Sequence, residues 1–167
     1  MKRFGIIMAV VAAVATAAVL AGPALAATGA GAVKTVAFTA SFSGKATVKV
    51  SGSRADISAD AAGTGTPIGK SKLAGKGVGN SVEPCPLFGG ASSITTAGGA
   101  KLNFVITGSG GSACTDEEGK LFSLLGRATI KGGTGKYAKA KGTFKFTGTF
   151  DRGNGLFSVK FRGTVTF

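Results

Sequence analysis

The chain has 167 residues, with 20 Lys and Arg against 7 Asp and Glu, 29 glycines, two cysteines, no histidine and no tryptophan. Without histidine, a Ser-His-Asp or Cys-His catalytic set and any His-ligated metal are excluded, and two cysteines fall short of a four-cysteine zinc site. The formal charge of +13 favours association with polyanions such as wall polymers, acidic glycans, anionic lipid surfaces or nucleic acid, and it equally serves to keep a β-rich protein soluble with its edges unpaired.

The N-terminus reads as a secretory signal peptide. Met1-Lys2-Arg3 is a basic start, an apolar run extends from Phe4 to Leu20, and Gly22-Pro23-Ala24-Leu25-Ala26-Ala27 follows. Small residues at Ala24 and Ala26 fit the pockets of signal peptidase, so cleavage is expected after Ala26. An uncleaved anchor is the alternative, because the apolar run is nearly long enough to span a bilayer; the Pro-Ala-Leu-Ala ending argues against it. Segment 1–26 is thus assigned to the signal, 27–32 to a flexible leader and 33–167 to one domain, with no transmembrane segment after cleavage. The expected location is extracytoplasmic.

Cleavage leaves about 140 residues, a usual size for one core. Thr, Val and Phe dominate, and they suit a pleated, half-buried surface. Alternation with period two is the main signal. Val36, Phe38, Ala40 and Phe42 share one face, and Ala46, Val48 and Val50 resume the pattern after Gly44. Strands are predicted at 33–42, 45–51, 54–60, 68–78, 92–97, 100–108, 120–131, 141–151 and 155–167, eight or nine in all. Segments 79–91 and 109–119 are predicted as long loops.

Cys85 and Cys114 lie in these loops, in Glu83-Pro84-Cys85-Pro86 and Gly111-Ser112-Ala113-Cys114-Thr115. Between them is a hairpin pattern turning at Gly98-Gly99, and a hairpin brings its two ends together. In an exported chain the pair reads as one disulfide. Further on, Phe144, Phe146 and Phe150 precede the turn Asp151-Arg152-Gly153-Asn154-Gly155, and Phe157, Val159, Phe161, Val165 and Phe167 follow it. Asn154-Gly155 is a strong hairpin signal, so these last segments are expected to pair.

Each strand has one apolar face, and a single sheet would leave that surface bare. The predicted fold is therefore all-β, a small closed antiparallel barrel of about eight strands, with a β-sandwich as the alternative. Gly148 and Gly163 interrupt the apolar faces of the last two strands, as expected where strands coil sharply.

The phrase Ala128-Thr129-Ile130-Lys131-Gly132-Gly133-Thr134-Gly135-Lys136-Tyr137-Ala138-Lys139-Ala140-Lys141-Gly142 resembles the allene oxide cyclase-like and dirigent-like barrels. The resemblance covers the C-terminal forty residues well. Earlier it rests on strand rhythm and on Gly63-Thr64-Gly65-Thr66-Pro67-Ile68-Gly69. It implies an eight-stranded antiparallel barrel whose interior holds small apolar ligands or reactive intermediates. The glycines Gly132, Gly133 and Gly135 permit a compact turn. Tyr137 is then expected to plug the barrel end, with Ala138 and Ala140 packed beneath it.

Other motifs fail on context. Gly133-Thr134-Gly135-Lys136-Tyr137-Ala138 matches the dinucleotide fingerprint formally, but that motif works between a strand and a helix in a βαβ unit. Gly69-Lys70-Ser71 lacks the upstream glycine of a phosphate loop, since Thr64 stands there. Asp116-Glu117-Glu118 reads as a solvated loop rather than a calcium site, so no metal and no cofactor is assigned. Aromatic and basic residues alternate in the last hairpin and so fall on opposite faces, which excludes specific nucleic-acid recognition.

Tyr137, Arg127, Asp56 and Asp151 are the candidates for acid/base chemistry if the fold gathers them in a cavity. Three functions follow. The first is a non-enzymatic barrel that binds a small apolar ligand or an anionic envelope polymer. The second is a cyclase-like or dirigent-like enzyme guiding a reactive intermediate. The third is a cationic structural protein of the envelope. No residue pattern dictates an oligomer.

Overall fold

The computed structural model describes residues 33–81 and 83–167. The predicted signal with Ala24 and Ala26, and the leader at 27–32, lie outside the described residues. Eight strands follow in order: β1 (Thr35–Ser51), β2 (Arg54–Thr66), β3 (Gly69–Asn80), β4 (Leu87–Thr96), β5 (Lys101–Thr115), β6 (Leu121–Gly133), β7 (Lys141–Asp151) and β8 (Leu156–Thr166). A single 3-10 turn, Gly135–Tyr137, lies between β6 and β7. Each strand pairs antiparallel with the next, and β8 pairs with β1, so the sheet closes into a barrel. The sandwich alternative is thereby set aside.

Closure follows from the alternation. Phe38, Ala40, Phe42, Phe144, Phe146, Phe157, Val159, Phe161 and Val165 are all buried, while their neighbours Thr39, Ser41, Lys145, Lys160 and Arg162 are exposed. With both sheet margins joined, no long edge of hydrogen-bonding groups is left to solvent between β8 and the first half of β1. Coiling tight enough to close the barrel needs close backbone approach. At Gly163 an added Cβ would run into the Thr143 carbonyl oxygen, and at Gly148 into that of Ser158. Both glycines therefore act as the alternation suggested.

Several boundaries differ from the sequence-based expectation, and β2 runs on from the predicted 54–60 to Thr66. Segments 33–42 and 45–51 form one continuous strand, because Gly44 keeps pairing with Ala61 and Phe157 rather than breaking the ladder. The loop expected over 79–91 contributes its last part to β4, and the loop over 109–119 contributes its first part to β5. Glycines at 89, 90, 108, 110 and 111 supply backbone but no side chain there, so alternation has nothing to display. Register shifts at Phe88/Gly90 and at Val105/Gly111 mark the same stretch as bulged.

Cys85 and Cys114 form the expected disulfide. Ladder-like hydrogen bonds flank it, from the Ala113 amide to the Pro86 carbonyl at 3.0 Å and from the Thr115 amide to the Pro84 carbonyl at 3.0 Å. The bridge thus ties the β4–β5 pair beside its bulged, glycine-rich stretch.

Candidate functional site

The two ends of the barrel are built differently. At one end lie the β2–β3, β4–β5 and β6–β7 connections and the 3-10 turn. Tyr137 is fully buried there, and its ring meets Phe167 edge-on with centroids 5.5 Å apart. Its hydroxyl donates to the Pro67 carbonyl oxygen at 3.4 Å. The turn that holds it needs left-handed backbone at Gly132 (φ 86°) and Gly135 (φ 58°). Thr134 pins the turn to β5: its amide donates to the Lys101 carbonyl, and its hydroxyl accepts from the Lys101 amide at 2.9 Å. Tyr137 is therefore the plug, as the sequence suggested. Ala140 is buried with it, whereas Ala138 is exposed, against expectation, because the turn carries it outward.

Behind the plug the interior is packed with aromatic rings. Phe144 stacks within 5.2 Å of Phe38, 4.9 Å of Phe104 and 4.9 Å of Phe161. Ile94, Leu102 and Val165 fill the remaining space and are fully buried.

The other half is hollow. A cavity of about 680 Å³ runs from a floor that includes Phe104, Phe146, Phe161 and Leu73 towards the strand ends at Asn80, Leu87 and Gly155. Its walls include Ile57, Phe88, Ile106, Phe122, Leu124 and Phe150. Space exists because the inward positions of the first strands are small: Ala46, Ala55, Ala59, Gly75, Gly77 and Gly79 stand where Phe stands on β7 and β8. Ser92 lies on the cross-strand row Ala46, Ala59, Gly75, Ser92, Phe104, so it brings one hydroxyl to the lining. The charged residues touching the cavity, Lys45, Lys76, Glu83 and Arg152, are all exposed.

The mouth is apolar as well. Val48, Val50 and Leu87, between 37% and 52% exposed, line the cavity near the strand ends, and Leu121 and Leu156 lie on the outer face beside them. Pairing of β1 with β8 stops at Lys45 opposite Leu156, while pairing with β2 continues to Ser51 opposite Arg54. The tip of the β1–β2 hairpin thus projects past β8 and carries Val48 and Val50 along the cavity wall.

None of the four acid/base candidates reaches this space. Tyr137 is at the opposite end. Asp56 is on the outer face of β2, ion-paired with Arg54 at 2.8 Å, both side chains more than half exposed. Arg127 is exposed on β6 opposite Lys145. Asp151 is occupied in the β7–β8 turn, accepting from the Gly153 amide and the Asn154 side-chain amide at 2.8 Å each. Asp116 similarly accepts from the amides of Lys120 and Leu121 and organises the β5–β6 turn. Among the described residues, no group of three or more acidic, Cys or His side chains is gathered as a metal site, and no helix is long and apolar enough to cross a membrane.

The family resemblance implied an interior that holds small apolar ligands, but where in the barrel the cavity lies was not read from the residues. Its one sign was the run of inward Ala and Gly in Ala55, Ala59, Gly75, Gly77 and Gly79, set against Phe at the matching inward positions of the last hairpin. Comparison with family models, with curated proteins and with solved structures finds no match to this chain.

Proposed function

We propose that this chain is an exported binding protein that encloses a small apolar molecule in the open half of its barrel. The observation that carries the reading is the cavity. At about 680 Å³ it falls within the roughly 300–1,000 Å³ of small-molecule sites, and its lining is predominantly aromatic, aliphatic or glycine, with Ser92 on one wall and the charged residues exposed. An apolar ligand would gain from leaving water and would displace no ionic contact. Ser92 offers one hydrogen-bonding group to orient it. Export is supported by the basic, apolar and Ala-x-Ala succession at the N-terminus and agrees with the Cys85–Cys114 bridge.

The motif around Gly132–Tyr137 and the eight-stranded barrel support kinship with the allene oxide cyclase-like and dirigent-like proteins. The kinship is proposed for the architecture. Chemistry of their kind would call for a carboxylate, Arg127 and Tyr137 on one cavity wall, and their scattered positions lend it no support.

A neutral fluorescent probe, N-phenyl-1-naphthylamine, tests the reading, since it avoids the attraction that an anionic dye would feel for this cationic surface. Saturable binding at one site is expected. Ala59→Phe, which puts a ring into the cavity from β2, should weaken it at least tenfold. Equal binding by the variant, or none by the parent protein, would overturn the proposal.

A further inference from the structure

The outer surface of β6, β7 and β8 carries a second site. Arg127 stands directly opposite Lys145, and Lys145 directly opposite Arg162, so three cations line up across three adjacent strands. Lys131 is paired with Lys141 farther along, and Lys160 lies two residues before Arg162 on β8. All six side chains are exposed. Neither ion pair found among the described residues involves any of them. The one acid on these strands, Asp151, sits at the far end of β7 and is held in its turn.

Such an arrangement is costly by itself, because like charges directly opposite on neighbouring strands destabilise a sheet. Elsewhere the barrel avoids it: on β1 and β2, Lys45 faces Asp60 and Lys49 faces Asp56. Protection of sheet edges, a common reason for surface lysines, does not apply, because β6, β7 and β8 are paired on both sides in a closed barrel. Hydroxyls fill the positions between the cations, with Thr129, Thr143 and Thr164 in one cross-strand row and Thr147 opposite Lys160.

We infer that this face binds an acidic polysaccharide laid along the barrel flank. From strand spacing and rise, the cations cover a strip roughly 20 Å by 10 Å, which suits an extended chain better than a single small anion. Arginine forks grip planar oxyanions and the ammonium groups act as point charges. The threonine hydroxyls match sugar hydroxyls. Nucleic acid is disfavoured because every phenylalanine of β7 and β8 points inward and no aromatic ring is available for stacking. A bilayer is disfavoured because Leu125 alone among the exposed large aliphatic residues lies within the strip.

The test uses dextran sulfate as the probe, with neutral dextran as the blank, on three forms of the protein. The parent is compared with Arg127→Ser/Lys145→Ser/Arg162→Ser and with a charge-matched control, Lys49→Ser/Lys70→Ser/Lys72→Ser, whose residues are exposed and away from both the row and the cavity. The row variant should bind at least tenfold more weakly at moderate salt, with a salt slope lower by about 2 to 3, while the control changes by less than about twofold. Relief of like-charge crowding should leave the row variant melting at or above the parent temperature. Lys145→Thr alone, at the centre of the row, should weaken binding about threefold and supplies the same reading if the triple variant does not fold. Equal losses in the row variant and the control would overturn the site. Tighter binding of oligo-dT or of phosphatidylglycerol vesicles than of dextran sulfate at equal charge would overturn the polysaccharide as its occupant.

Discussion

Replacing both cysteines, Cys85→Ser with Cys114→Ser, isolates what the disulfide contributes. The bridge spans 29 positions of the chain. Opening a loop of this size restores chain entropy to the unfolded state, worth about 3.6 kcal/mol by the loop-closure relation. For a domain of this length that should lower the melting temperature by roughly 10–15 °C. The folded state should also respond locally. The Ala113 and Thr115 amides, which donate to Pro86 and Pro84 beside the bridge, should lose protection from hydrogen exchange. Those of the closed end, such as Tyr137 and Ala140, should keep theirs relative to the new global stability. Paired thermal melts and exchange measured by mass spectrometry on the double variant provide the assay. A loss below about 1 kcal/mol, or uniform loss of protection around the barrel, would refute the view that the bridge secures the bulged β4–β5 wall.

Phe144→Ala removes the ring that touches Phe38, Phe104 and Phe161 and should cost about 3–5 kcal/mol, measurable by urea titration. Tyr137→Phe removes only a 3.4 Å hydrogen bond to Pro67 and should cost no more than about 1 kcal/mol, with naphthylamine binding unchanged; strong loss of binding would show that Tyr137 serves the ligand. Gly163→Ala places a Cβ against the Thr143 carbonyl and the Phe144 backbone, neither of which can swing aside, and should destabilise by about 1–3 kcal/mol in the same titration.

Much of the barrel was legible because inward and outward residues differ sharply on its best-packed strands. Phe157, Val159 and Phe161 against Ser158, Lys160 and Arg162 leave one register that buries the rings, and the turn over Asp151–Gly155, closed by the Gly155 amide donating to the Asp151 carbonyl, joins the paired strands. The cysteines were readable because a hairpin must bring their segments together. The extensions of β4 and β5 were not, since their glycines carry no alternating signal and their hydrogen bonds come from neighbouring strands. The hollow half was hidden for a different reason. Val48 and Phe38 both read as inward apolar positions, and only the stagger of the closed sheet places one beside a void and the other in the packed core. Asp56 and Arg127 are kept out of the interior by alternation, Asp151 is held in its turn and Tyr137 plugs the opposite end.

The most direct test of an apolar ligand site is to find where a neutral apolar molecule rests. Isotope-filtered nuclear Overhauser spectra of methyl-labelled protein with bound N-phenyl-1-naphthylamine should show contacts from the probe to Ile57, Ile106 and Leu124 in the hollow half, and none to Ile68 or Val165 in the packed half. Contacts confined to the exposed aliphatic residues outside the cavity, or no contacts at saturating probe, would contradict the account.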